Sequence, residues 1–147
     1  MKHALIQILT RDLGRLAVEM KSYVHGDNIW LTDNNISNSA GNLCLHLVGN
    51  LNHFIGAVLG NNGYLRNREE EFSKKNIPLD ELIGEVENTV DMLVKTLEGM
   101  QDADFKSRFP IPFNNQECTT DFVLIHLAGH LNYHLGQINY HRRLLDK

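Results

Sequence analysis

The sequence has 147 residues, of which 42% are hydrophobic and 22% are charged, and its formal net charge is −4. This composition is typical of a globular protein and excludes a largely disordered chain. The 14 lysines and arginines are scattered, so no basic patch favours a nucleic-acid partner, and no segment approaches the ~20 consecutive apolar residues of a membrane span. We therefore expect a single helical domain over residues 1–147 without a nucleic-acid or membrane partner.

The two cysteines and the N-terminus favour a cytoplasmic protein. Cys44 and Cys118 form neither a CxxC motif nor a disulfide framework. The first residues run directly into amphipathic sequence and lack the long apolar stretch of a signal peptide.

Three segments of the first hundred residues have apolar side chains at the spacing of an amphipathic helix. The first helix is predicted over about residues 2–23. The second follows an N-cap at residues 38–39 and ends at the glycine- and asparagine-rich run 60–63. The third opens after Pro78 and ends near Gly99.

A fourth helix, capped by one of residues 119–121, is predicted to run to about Leu145. Before it, residues 102–118 lose the helical pattern and indicate an extended loop or a short hairpin. The charged segment 64–76 is predicted to face solvent. Four helices of this length predict an all-α four-helix bundle, in which the long connections leave the up-and-down order open.

The last predicted helix carries four of the eight histidines, namely His126, His130, His134 and His141. At 100° per residue they lie at roughly 0°, 40°, 80° and 60°, within one narrow wedge of the helical wheel. Imidazoles at i and i+4 can reach one metal ion, because their Cβ atoms are about 5–6 Å apart. A further ligand would come from another helix, and His46 is the candidate on the second.

A structural interpretation competes with the metal site. A helical histidine is more often a hydrogen-bonded surface or core residue than a ligand. His46 shares a helix face with Asn50 and His53, and Gly49 would allow another element to approach closely. The spacing alone leaves the two interpretations balanced, and it leaves the roles of His53, His126 and His141 open.

Longer motifs resemble a known family. Residues 38–55 (NSAGNLCLHLVGNLNHFI) resemble the second helix of the DinB/YfiT-like superfamily, in particular a branch with the signature N-S-x-G-N-L-x-L-H-L-x-G-N-L. Residues 66–72 (RNREEEF) resemble the R-N-R-x-x-E-F segment of that branch, and His126 to Ile138 resembles the histidine-rich signature of its last helix. The resemblance covers nearly the whole chain.

The resemblance implies a four-helix bundle of DinB/YfiT type that holds one divalent transition metal, such as zinc, nickel or iron. The family's three ligand positions match His46, His130 and His134. His126 would lie close to the ligands or line the pocket, and Gln137 would face the third helix or a subunit partner. Many members are homodimers, so we expect a homodimer here.

The activity implied is less specific. Three neutral ligands leave a coordination position open, where a dication lowers the pKa of a bound water or thiol. A thiolate would make the protein a transferase that uses a low-molecular-weight thiol on a small-molecule substrate, as in some relatives. A hydroxide would make it a hydrolase, and a third alternative is a non-catalytic metal-binding dimeric module.

No catalytic residue is identifiable from the sequence. The acidic run 69–71 supplies a general base only if its segment folds over the site, and a solvated charged turn is the favoured interpretation. Cys44 lies two residues before His46, so it points about 160° away and is predicted to be a small buried apolar residue.

Overall fold

The computed structural model describes all 147 residues as an all-α fold of six helices, four of them long, packed as a bundle. The helices are α1 (Lys2–Lys21), α2 (Ala40–Leu51), α3 (Arg68–Ser73), α4 (Leu79–Gly99), α5 (Asp102–Lys106) and α6 (Thr120–Leu145). A π-helix, Asn52–Leu59, continues α2, and a 3₁₀ turn spans Gly26–Trp30. The predicted all-α bundle is confirmed, and the sequence patterns missed the short helices α3 and α5. No helix is both long enough and apolar enough to span a membrane.

The starts of the helices follow their local sequence. The Ser39 hydroxyl accepts a hydrogen bond from the backbone N–H of Asn42, so it caps α2 as predicted. Pro78 precedes α4, whose first turn contains Asp80 and Glu81 at the positive end of the helix dipole. Thr119 precedes α6.

The core is one cluster of 30 buried apolar residues. Helix α1 packs against α4 and α6, whereas α2 packs against α3, α4 and α6. The stripe predicted on α1 is buried throughout, as are the leucines at positions 127 and 131 of α6. Burial of these stripes is the main favourable contribution to the bundle.

Buried polar contacts attach α1 to α6. The Asp12 carboxylate accepts hydrogen bonds from Arg11 and from Asn132 of α6. The Tyr23 hydroxyl lies 2.7 Å from Nδ1 of His141, whose Nε2 lies 2.9 Å from the carbonyl oxygen of Leu31. His141 therefore has a structural role.

The end of the second predicted helix has π rather than α geometry. The backbone N–H of Gly60 donates to the carbonyl of Ile55, five residues earlier, at 2.8 Å. The wider turn buries the adjacent residues Ile55 and Gly56, whereas Phe54 and Val58 of the predicted stripe are only partly buried. A Cβ at position 56 would lie 2.7 Å from the Asn62 side chain, so glycine suits this close approach.

The prediction that residues 64–76 face solvent is wrong for part of that segment. Asn67 caps α3, and the Asn42 amide donates to the carbonyl oxygens of Glu71 and Lys74. These bonds hold the segment against α2 and bury the Glu71 side chain.

Residues 102–106 of the segment before α6 form the helix α5, which was not predicted, whereas residues 108–119 fold as a small hairpin, one of the two forms predicted for the segment. Residue pairs Arg108–Thr119 and Phe113–Gln116 form isolated antiparallel bridges. Phe109 and Phe113 are buried and anchor the hairpin to the bundle.

We expect Leu131→Ala to lower the free energy of unfolding by about 2–5 kcal/mol, because the side chain is fully buried and its loss leaves a cavity. Leu65→Ala is the control with the same chemical change, since that side chain is 91% exposed. The control should change stability by less than about 0.5 kcal/mol. Urea unfolding followed by circular dichroism measures both values, and equal losses would contradict the assignment of the core.

Candidate metal site

The three histidines predicted from the sequence lie together between α2 and α6. Nε2 of His130 lies 3.2 Å from Nε2 of His46 and 3.1 Å from Nε2 of His134. Each ring offers one nitrogen, and the three nitrogens lie within 4.8 Å of one another. The cluster could therefore hold a metal ion.

The antiparallel packing of α2 against α6 brings these side chains together. Leu43, near the start of α2, lines a cavity of about 260 Å³ with Gln137 and Tyr140 of α6. Beyond the end of α2, Phe54 stacks on Phe113, which in turn contacts His126 near the start of α6. The middle of α2, which carries His46, therefore lies beside the middle of α6, which carries His130 and His134.

Hydrogen bonds to Nδ1, the nitrogen that points away from the cluster, fix the orientation of the His46 and His134 rings. Nδ1 of His46 lies 3.0 Å from a carboxylate oxygen of Glu71, and Nδ1 of His134 lies 2.6 Å from Oε1 of Gln137. The Gln137 Nε2 donates to the Tyr133 hydroxyl, which agrees with this orientation of the amide. Both acceptors require a proton on Nδ1. In the neutral form of each ring, Nε2 then carries the lone pair, which points towards the other histidines.

The donor set fits a borderline transition metal. Lone pairs of His46 and His134 converge on the His130 ring, and they repel one another unless a proton or cation lies between them. Nitrogens bound tetrahedrally at about 2.0–2.1 Å lie roughly 3.3 Å apart, close to the two distances from Nε2 of His130. Imidazole nitrogens suit zinc, nickel and iron.

The rings of the α6 pair are held neutral, as metal ligands must be. Burial, together with the smaller effect of the neighbouring imidazoles of His134 and His46, lowers the pKa of His130 to about 4. Burial also lowers the pKa of His134, although its hydrogen bond with Gln137 opposes the change. At neutral pH each of these two rings therefore carries a single proton, and its other nitrogen is free to bind a cation.

The buried ion pair of Arg66 with Glu71 holds the His46 ring on the side away from the cluster. Arg66 donates two hydrogen bonds of 2.8 Å to the two oxygens of Glu71, whose side chain is only 6% exposed. Burial raises the pKa of the Glu71 carboxyl, but hydrogen bonds from Arg66 and His46 more than offset it, so the pKa lies below its usual range. The carboxylate stays ionised and accepts a hydrogen bond from the Nδ1–H of His46.

The acidic run therefore divides into two kinds of residue. Glu69 and Glu70 are exposed, as a solvated turn requires. Glu71 is instead buried, so the favoured prediction was wrong for this residue. Both of its oxygens are occupied by Arg66 and His46, which leaves it a support for a ligand rather than a free general base.

Gly49 makes room for this carboxylate. A Cβ at position 49 would lie 2.0 Å from Oε2 and 2.6 Å from Cδ of Glu71, so the carboxylate would have to move. The close approach predicted at Gly49 thus involves a side chain of α3. Only a residue without a side chain leaves the Arg66–Glu71 pair in place.

The other histidines are not part of the cluster. His126 is exposed and packs edge-on against Phe113, although it lies one turn before His130. His53 is partly buried beside Phe54, and burial lowers its pKa.

Cys44 is fully buried, and burial raises the pKa of its thiol to about 12. This agrees with its predicted role as a small apolar residue. Cys118 is partly buried at the end of the hairpin that precedes α6.

Periodicity did not reveal Arg66, Glu71 or Gln137 as parts of this site. A signal for them existed in the family motifs, because Arg66 and Glu71 belong to the RNREEEF run and Gln137 follows His134 by three residues. The polar partners of His46 and His134 could not be predicted, because the sequence pattern does not show which polar side chains face the site.

We expect Gly49→Ala to lower the free energy of unfolding by about 1–3 kcal/mol, because the new methyl group displaces a carboxylate that accepts charged hydrogen bonds. Gly84→Ala in α4 is the control, since a Cβ there meets nothing within 4 Å. That change should raise stability by about 0.5–1 kcal/mol, the usual gain of alanine over glycine in a helix. Chemical unfolding measures both, and a stabilised Gly49→Ala protein would contradict the assigned contact.

Comparison with known proteins gives one family. No curated protein matched the chain. Residues 4–147 match the family described as "Protein of unknown function (DUF1572)". Because the match extends over nearly the whole sequence, the chain belongs to the DUF1572 family.

Proposed function

We propose that this protein is a metal-dependent enzyme of the DinB/YfiT-like type, with one divalent transition metal bound by His46, His130 and His134. The observation that carries the proposal is that the Nε2 atoms of the three histidines lie close together. In His46 and His134, the other ring nitrogen is hydrogen-bonded to Glu71 and Gln137. A site built only for stability generally has four protein ligands, often cysteines, whereas this one has three histidines.

The residues of the chain prepare the site for a further ligand. A bound dication supplies Lewis acidity, which lowers the pKa of a water or thiol that joins the three histidines. Glu71 holds His46 and Gln137 holds His134, so neither ring has to rotate when a ligand enters. All three protein ligands are neutral, and Arg66 balances the charge of Glu71, so an anionic ligand such as a thiolate is favoured.

We propose that the thiol comes from outside the chain. Cys44 is buried with a pKa of about 12, so it does not supply a thiolate at neutral pH. The sulfur of a low-molecular-weight thiol would then form a bond to an electrophilic carbon of a small molecule while the bond from that carbon to its leaving group breaks, which would make the protein a transferase. Two free cysteines are compatible with a cytoplasmic location.

The two alternatives use the same residues differently. Activation of water in place of a thiol would make the protein a hydrolase. A non-catalytic dimeric module is favoured by one observation, the apolar and aromatic side chains exposed along α6, namely Phe122, Ile125, Tyr133, Tyr140 and Leu144. The homodimer expected from the resemblance stays a prediction.

We expect the protein, purified without a nickel column, to bind one divalent transition metal per chain. His134→Ala removes one of three ligands and should weaken binding by at least about 100-fold. His126→Ala is the control, because this histidine is on the same helix but outside the cluster. Competition with a chromophoric chelator measures both affinities, and elemental analysis identifies the metal. Equal affinities for the two variants would exclude the assigned ligand set.

We expect metal-loaded protein to bind a low-molecular-weight thiol and to release about one proton per thiol near pH 7, because the thiol binds as thiolate. Titration with several thiols in weakly buffered solution, followed by pH and calorimetry, measures both quantities. His126→Ala should behave as the wild type does, whereas His134→Ala should release no protons. If neither protein binds any thiol, the transferase is excluded and hydrolysis of small esters and amides is the activity to assay.

A further inference from the structure

Two buried side-chain atoms in the chain lack a hydrogen-bond partner, Oδ1 of Asn50 and Nδ1 of His130. Leaving a buried polar atom unpaired costs about 1–3 kcal/mol, so such atoms are rare and call for an explanation. Both belong to the neighbourhood of the candidate metal site. His130 is a member of the cluster, and Asn50 follows His46 by one helical turn.

The contacts between α2 and α6 indicate that the residues carrying these two atoms face each other. Helices α2 and α6 are antiparallel, with Leu43 beside Gln137 and His46 beside His130 and His134. Phe54 and His126 both contact Phe113, further along α2 and closer to the start of α6. Asn50 lies between His46 and Phe54, so it is opposite the turn of α6 from His126 to His130.

The two atoms are also chemically complementary. When Nε2 of a neutral imidazole binds a metal, its Nδ1 carries the proton and is a donor. Nδ1 of His46 has Glu71 as its acceptor and Nδ1 of His134 has Gln137. His130 is the one ring of the three without an acceptor, and Asn50 Oδ1 is the one buried side-chain acceptor without a donor.

We propose that Asn50 is the positioning residue of His130 and accepts its Nδ1–H through a bridging water molecule. A buried water that joins two otherwise unpaired polar groups is a common element of protein interiors. The inference rests on the proposed metal site. It assigns a polar support to each of the three rings, namely a carboxylate, a glutamine amide and an asparagine amide.

The test separates metal affinity from stability. Asn50→Leu keeps the branched shape of the side chain but has no acceptor, so metal affinity should fall by about 10- to 100-fold. The metal-free variant should be at least as stable as the wild type, because a buried unpaired oxygen is removed. Asn50→Asp retains an acceptor and should bind the metal within about threefold of the wild type. Chelator competition and thermal unfolding of the metal-free proteins measure these quantities.

Asn52→Leu is the control, since the Asn52 amide donates to the Val48 carbonyl and to Thr89 away from the histidines. It should lower stability and leave metal affinity unchanged. If Asn50→Leu binds the metal as tightly as the wild type, the positioning role is overturned while the metal site stands. If Asn50→Asp loses as much affinity as Asn50→Leu, the role as acceptor is overturned. If the wild type binds no metal, the metal site fails and this inference fails with it.

Discussion

The site depends on one buried interaction, the ion pair of Arg66 with Glu71. Its two short hydrogen bonds keep a carboxylate ionised in the interior, and that carboxylate fixes the proton of His46 on the outer nitrogen. Removing either partner of a buried pair is costly, because the other charge is then left without compensation. The segment between α2 and α4, which looks like a surface turn, is therefore bound to the middle of the bundle.

Much of the fold could be predicted because it depends on periodicity. The apolar stripes of α1 and α6, the Ser39 cap and the start of α4 after Pro78 all follow from local sequence rules. The π-helix could not be predicted, since it results from close packing around Gly56 and not from a repeated pattern. The short helix α3 was concealed because its stability comes from tertiary hydrogen bonds with Asn42.

The candidate site shows the same division. The spacing of His130 and His134 on one helix indicated a shared site, His46 on the second helix was the candidate for a further ligand, and the resemblance matched all three to ligand positions. Which carboxylate of residues 69–71 turns inward depends on the empty space above Gly49, and only the folded chain reveals that space. The assignment of His141 to a structural role likewise required its partner Tyr23, which is 118 residues earlier in the chain.

The π-helix has a consequence for changes in chain length. In an α-helix each residue turns the chain by about 100°, so deleting one residue rotates every later side chain to a new face. Within Asn52–Leu59 a deletion can be absorbed when a wide turn contracts to α geometry, and the flanking side chains then keep their directions. His46 lies before this segment and α3 after it. The bundle thus has a place where its length can change while His46 and Glu71 continue to face each other.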